Sequence, residues 1–165
     1  MPISDVYTAR SGVYTGTAVT TAVPFLSVFG TAAKRSWVVG IRVDVILTTA
    51  AAGNNVTFAL NRCSTTTVAT SPVSLANQHD VSAPASISQQ CVAYGTPPAT
   101  ITQTLWEQLL PLTTGSSWEE FPPSGYEWQI PAIASGSASC GVHMFLTQSV
   151  ATSGYTYAAD LIISE

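Results

Sequence analysis

The residues best suited to chemistry gather between Leu105 and Trp128. This stretch holds three of the four tryptophans (Trp106, Trp118 and Trp128), Tyr126, and four of the five glutamates (Glu107, Glu119, Glu120 and Glu127). Paired carboxyl groups beside aromatic rings suit glycoside hydrolysis, in which one acid protonates the leaving oxygen and the other attacks or activates water. They also suit sugar binding, with rings stacked on a pyranose and carboxylates taking its hydroxyls. A third reading is structural. Neighbouring side chains on a strand point to opposite faces, so the Trp-Glu and Tyr-Glu-Trp steps turn rings inward and carboxylates outward. Rings at a sandwich edge also anchor protein partners. The third reading is preferred, because clefts that process substrates carry more titratable groups than this one. Trp106, Trp118, Tyr126 and Trp128 are therefore the candidate ligand- or protein-contact residues.

Elsewhere the search for chemistry finds little. The sequence has no G-x-S-x-G elbow and only two histidines, His79 and His143. His143 lies in the apolar run Gly141–Gln148, facing away from Val142 and Met144, and is expected to be a hydrogen-bonded structural residue rather than a base. A metal at His79-Asp80 would need two more ligands, which the local sequence does not supply. The Gly136–Gly141 run is followed by Val142, where a phosphate-cradling loop needs lysine. No catalytic residue, cofactor or metal is expected. Cys63, Cys91 and Cys140 have neither C-x-x-C nor zinc spacing, and their odd count favours buried free thiols. A Cys63–Cys91 bridge stays open.

Period-two alternation dominates the elements that must position these residues. In Trp37–Thr49 strict alternation puts Trp37, Val39, Ile41, Val43, Val45 and Leu47 on one face and Val38, Gly40, Arg42 and Asp44 on the other. Further strands are expected at Ala18–Thr21, Phe25–Phe29, Val56–Cys63, Ile101–Trp106, Tyr126–Pro131, Gly141–Gln148 and Tyr155–Ile163. Gly53-Asn54 marks a hairpin loop. Leu105, Gln108, Leu109 and Leu112 have helical spacing, so Thr104–Leu110 reads as either a helical turn or the end of a strand. About eight strands separated by turn signals predict an all-β antiparallel sandwich, with jelly-roll as the expected form. Residues 1–16 are expected to be an arm and 17–165 one domain, with a long irregular loop over Ser71–Ala99. That loop either lies on a neighbouring molecule or covers an edge of its own sandwich.

Composition narrows the function classes. Only 8% of the 165 residues are charged, against about 25% in an average soluble protein. Ser and Thr make up roughly a quarter of the chain. Such a surface desolvates easily, as the cores of protein interfaces do. A net charge of −4 with a single lysine argues against nucleic acid or an anionic membrane as partner. Met1–Arg10 lacks the basic and apolar regions of a secretory signal, so synthesis in the cytosol is expected.

A run of features at the C-terminal side carries a family resemblance. Phe121-Pro122-Pro123-Ser124-Gly125-Tyr126-Glu127-Trp128-Gln129-Ile130-Pro131 leads from an aromatic strand through a Gly turn to an apolar strand ending in Pro. Small residues (Ala134–Ser139), the strand Gly141-Val142-His143-Met144-Phe145-Leu146 and the tail Leu161-Ile162-Ile163-Ser164-Glu165 follow. Upstream lie Trp37-Val38-Val39-Gly40-Ile41 and Asn61-Arg62-Cys63-Ser64-Thr65. This succession resembles the small jelly-roll-type head proteins of tailed bacteriophages over most of residues 36–165. The resemblance implies a virion protein on the capsid exterior, made in the host cytoplasm. It would decorate or cement the capsid by binding the major capsid protein lattice and its own copies, as a homotrimer, and it brings no catalytic residues to transfer. The alternatives are a carbohydrate-binding or fibre module using the 106–128 patch, and a glycosidase using two of the four glutamates. Charge is thinnest in Gly12–Ala33 and Cys63–Leu105, so the arm and the long loop are expected to bury contacts, and Glu107–Glu127 to hold the solvent-facing edge.

Overall fold

The computed structural model describes residues 5–16, 22–30, 35–47, 54–63, 68–69, 73–77, 88–92, 94–96, 100–113, 115–130, 141–149 and 155–165. Fifteen strands are found among them: β1 (Val6–Arg10), β2 (Tyr14–Gly16), β3 (Val23–Gly30), β4 (Ser36–Leu47), β5 (Asn55–Cys63), β6 (Val68–Ala69), β7 (Val73–Ser74), β8 (Ala76–Asn77), β9 (Ser88–Cys91), β10 (Tyr94–Thr96), β11 (Ile101–Pro111), β12 (Ser117–Glu120), β13 (Trp128–Ile130), β14 (Gly141–Gln148) and β15 (Tyr155–Ser164). The first sheet runs β12-β4-β15-β1-β8, with β13 also on β4 and β2 on β15. The second runs β11-β5-β14-β3-β9-β7, and β10 pairs with β6 separately.

Eight principal strands define the topology. In chain order the first pairs with the last (β1 with β15) and the second with the seventh (β3 with β14). The third pairs with the sixth (β4 with β12) and the fourth with the fifth (β5 with β11), all antiparallel. Such nested pairing is a long hairpin rolled onto itself, the jelly-roll form of the sandwich. The all-β antiparallel expectation therefore holds.

Several local expectations are corrected. Val6–Arg10 is no free arm. β1 lies between β15 and β8, and Tyr7 and Ala9 are in the core. The Ser71–Ala99 segment is not structureless where described, since it supplies β7 to β10. β8 extends the first sheet beyond β1, and β9 with β7 extends the second beyond β3. This matches the reading in which the loop covers its own sandwich edge. Thr104–Leu110 is not helical. Trp106, Leu110 and Leu112 are buried at every second or fourth position, and β11 runs on to Pro111. The Ala18–Thr21 expectation lies outside the described residues.

Both sheets send alternate residues into one core. β4 contributes Val38, Ile41, Val43 and Val45, and β15 contributes Tyr155, Tyr157, Ala159, Leu161 and Ile163. Facing them are Val56, Phe58 and Leu60 of β5 and Val142, Met144 and Leu146 of β14. Phe58 meets Tyr157 edge-on across the sandwich at 5.9 Å, and the Tyr157 hydroxyl accepts a hydrogen bond from the Gln148 amide. The inward set of β15 agrees with its alternation. That of β4 agrees over Ile41, Val43 and Val45 and departs before them, because Ile162 pairs with Gly40 and Ile163 with Val38, leaving Val39 as an extra residue. This bulge reverses the phase of the pleat. Val38 turns inward, and Trp37, expected in the core, is 38% exposed.

The outer faces differ in chemistry. On the first sheet, Arg10, Asp160, Arg42 and Glu119 are successive register partners across β1, β15, β4 and β12, a row of alternating sign. Arg10 lies 3.6 Å from Asp160, and Arg42 reaches Asp44 at 3.1 Å. On the second sheet, Ser27, Phe29, Asn61, His143 and Phe145 alternate with core residues yet are all buried. Its strands β3, β7, β9 and β14 carry no charged residue.

Candidate contact surface

At one side of the sandwich the sheet edges are covered by β8 and by β9 with β7. At the opposite side the sheets end in β12 and β11; no described strand pairs beyond any of the four terminal strands, of which β7 and β8 have two residues each and β11 has eleven. The sequence expectation places the buried contacts in the arm and the long loop and the solvent-facing edge at Glu107–Glu127; in the isolated chain that edge is open, and the strands β1, β7, β8 and β9 pair within their own sandwich. β11 is 11 residues long and mostly exposed, and Ser117, Trp118 and Glu119 of β12 are exposed as well.

The four candidate aromatic residues divide between structural and open positions. Trp106, only 7% exposed, is part of the core, and its indole Nε1 donates to Glu120 Oε2 at 2.9 Å. Trp118 is 42% exposed and its Nε1 lies 3.4 Å from the same oxygen. β12 sets this up: Trp118 and Glu120 lie two residues apart and so share a face of the strand. One carboxylate thus joins the last ring of the core to the first ring outside it, bridging from β12 to β11. Trp128, on β13, packs partly buried against the core. Tyr126 is 76% exposed, on the turn before β13. The structure brings Trp106 and Trp118 together and leaves Tyr126 and Trp128 apart from them.

The glutamates have separate tasks. Glu119 and Glu120, adjacent on a strand, point to opposite faces, so they do not flank one substrate bond. Glu119 stands opposite Arg42. Glu127 Oε2 accepts from the Gly125 amide at 2.8 Å, closing a turn in which Gly125 has a φ of 91°, a conformation open to glycine. Glu107 is exposed on β11. Glu120 is thus a structural acceptor for indole N–H groups.

At the other end of this edge Arg62 ties the sheets. Its guanidinium donates to Gln103 Oε1 on β11 at 3.0 Å and to the Gln129 carbonyl on β13 at 2.9 Å. Two grooves lie nearby. One of about 490 Å³ is lined by Arg42, Asp44, Val45, Ile46 and Gly115–Ser117. The other, about 160 Å³, is lined by Trp37, Val39, Glu127 and Ser164. The second is below the ~300 Å³ at which ligand pockets usually begin. Neither is lined by any of the four candidate aromatics.

Three exposed apolar residues of this region escaped the sequence reading: Ile101, Leu109 and Phe121. Leu109 was masked by a helical spacing that the fold does not use. The Phe121 ring lies over Gly40, so close that a methyl there would sit 2.6 Å from its Cε1. With Trp118 and Tyr126 these make five of the nine exposed large apolar side chains among the described residues, all within 101–126.

The remaining chemical candidates are structural. The His143 side chain is fully buried, with Nδ1 2.8 Å from Ser27 Oγ and the Phe29 ring edge-on at 5.7 Å. Burial lowers its pKa from 6.5 to about 4, which holds it neutral. Cys63 and Cys91 are buried free thiols, so the possible bridge between them is absent, and burial pushes the Cys63 thiol up to about 11. His79, Asp80 and Cys140 lie outside the described residues.

No family model matches the chain, and no curated protein matches it. Solved structures give loose likenesses. A structure of Desmodium yellow mottle tymovirus is 9% identical, covering 99% of this chain and 87% of that one, with a TM-score of 0.33. The BFDV capsid protein in a 60-mer is 12% identical, covering 99% and 94%, also at 0.33. Cocksfoot mottle virus is 7% identical, covering 93% and 92%, at 0.28. At these values the fold stands on the strand order itself.

Proposed function

We propose that this chain is a structural virion protein whose work is done by surface contact, with its own copies and with a capsid lattice. The observation that carries the reading is the edge just described. A chain of 14 charged residues on 8266 Å² of surface has about one charge per 590 Å². It nevertheless exposes Ile101 and Leu109 on β11, Trp118 on β12, and Phe121 and Tyr126 in the segment between β12 and β13. Apolar and aromatic residues grouped on a charge-poor surface are what a protein interface needs.

The finer reading follows the resemblance to phage head proteins: a decoration or cement protein on the capsid exterior, a homotrimer, bound to the major capsid protein. Trp118 and Tyr126 are its contact residues. Trp106 supports Trp118 from the core side through Glu120, and Trp128 packs against the core. No enzymatic activity is assigned. The separate duties of the four glutamates support this, since none is paired with another across a cleft. A contact of ordinary strength needs about 800 Å² per partner. Repeated attachment to a lattice strengthens weaker contacts through avidity.

Co-sedimentation with undecorated capsids tests the role. The chain is expected to pellet with capsids at a saturating ratio, and Trp118→Ala with Tyr126→Ala to weaken that binding. A chain that stays in the supernatant at every concentration overturns the reading. Glycan binding abolished by Trp118→Ala would replace it with the carbohydrate module.

A further inference from the structure

We infer that the free edge of β11 is a docking strand for β11 of a second copy, paired antiparallel about a two-fold axis. This deepens the contact role proposed above and rests on it. It names the element that meets another copy and the chemistry of the meeting.

The asymmetry of the sandwich is the starting point. The chain supplies strands beyond β1 and β3, so those edges have partners. No described strand lies beyond β11. On the outward side of β11 the Leu109 carbonyl accepts from Gln108 Nε2 at 2.9 Å and the Pro111 carbonyl from the Thr113 N–H at 2.8 Å; the Glu107 N–H and C=O and the Leu109 N–H are left for another strand to satisfy. Exposed edges are normally blunted by lysine, by proline within the strand, by inward charges or by bulges. β11 has no lysine, and its proline, Pro111, is its last residue. Register shifts occur only between Ile101 and Gln103 and between Thr104 and Trp106. From Trp106 to Pro111 the ladder is regular. That half also exposes Leu109, at 56%.

The composition of the strand fits a copy of itself. Thr102, Gln103, Thr104 and Gln108 are neutral and hydrogen-bonding, and Glu107 is the single charge. In antiparallel self-pairing Glu107 meets its own copy only if the axis passes through it, so every other register avoids like-charge opposition. The contact is isologous, so it closes as a pair and does not run on into a filament. A two-fold contact is also what links one trimer to the next when a lattice is built.

Area sets the strength. Eleven residues at ~3.4 Å each give a strip about 37 Å long, and with a width of ~10 Å about 370 Å² per partner. This is roughly half of the ~800 Å² typical of a stable interface. Flanking side chains such as Trp118 must supply the rest, and the pairing is expected to show at high protein concentration.

The test uses the full chain in a Cys140→Ser background, with single cysteines at Gln103, Gln108, Leu109 and, on the outer face of the first sheet, Ile46. Mild oxidation is expected to give a covalent dimer from at least one β11 position and none from Ile46→Cys. Sedimentation velocity up to about 100 μM is expected to show self-association that Leu109→Lys weakens about tenfold, with an unchanged melting temperature. No crosslink along β11, equal crosslinking from Ile46→Cys, or unaltered association of Leu109→Lys overturns the inference. Capsid co-sedimentation is read separately. Edge pairing without capsid binding would refute the virion role and keep this contact, and the reverse result would do the opposite.

Discussion

The outer face of the first sheet and that of the second are built by the same alternation and end in opposite chemistry. The first carries the row Arg10, Asp160, Arg42 and Glu119, with Asp44 beside it. The second carries Ser27, Phe29, Asn61, His143 and Phe145, all buried. A sheet with one wet face is the usual antiparallel arrangement, while a strand buried on both faces reads as a continuous apolar run. β3 and β14, buried along most of their length, are of the second kind. Five of the 14 charges (Arg10, Arg42, Asp44, Glu119 and Asp160) thus lie where the first sheet meets water, while β3, β7, β9 and β14 of the second sheet carry none.

The largest expected difference lies in deletion of bulk. Phe29→Ala on the second sheet should cost about 3–5 kcal/mol, and Ile46→Ala on the exposed face of the first less than about 1 kcal/mol, by chemical denaturation. Equal costs would erase the contrast between the faces.

Acid should act next. The pKa of His143 is about 4 in the fold and 6.5 when unfolded. Between those values the unfolded chain binds more protons, so its contribution is full above pH 6.5 and is lost as pH falls toward 4. The loss amounts to about 3 kcal/mol. The difference in stability between wild type and His143→Gln, followed from pH 7 to 4, should shrink by that amount, and a constant difference would contradict the burial of His143.

Glycines sharpen the comparison further. A methyl at Gly141 would lie 2.5 Å from the Val28 carbonyl oxygen and 2.6 Å from Phe29 Cδ1. One of those atoms is backbone, so Gly141→Ala should cost about 1–3 kcal/mol. At Gly40 the obstacles are the ring of Phe121, 57% exposed, and the end of Ile162. The ring can swing away, so Gly40→Ala should cost clearly less. Melting temperatures of the two variants measure this.

The smallest effect belongs to the charged row. Burial raises the Asp160 carboxyl above the usual Asp value, and Arg10 and Arg42 offset only part of this. Its ionised form is therefore mildly disfavoured by folding at neutral pH, a penalty that fades as pH falls through the raised value. Asp160→Asn should leave stability within about 0.5 kcal/mol of wild type or slightly above it. A large loss would mean that the row holds the sheet together.

Period-two patterning made much of the fold legible. β14 agrees with its expected bounds of Gly141–Gln148, and β15 with its inward set, because their buried faces alternate without interruption. What failed did so where pairing overrides pattern. The bulge at Val39 turned Trp37 outward, and five residues at Val6–Arg10 proved too few to identify an inner strand. A chance helical spacing hid half of β11. The candidate site was legible as residue types and illegible as geometry. Trp118 and Tyr126 were named, but the carboxylate of Glu120 between two indoles depends on β12 lying beside β11. The charged row likewise depends on register among four strands distant in sequence.

The central claim is that the uncovered β11–β12 side is where this protein meets other molecules of a particle. The most direct measurement is a cryo-electron density map of purified particles that carry the chain. The account predicts ordered copies at regular lattice positions, with Leu109, Trp118 and Tyr126 inside contacts and the Arg10–Glu119 row facing solvent. Copies bound with that side free in solvent would contradict it.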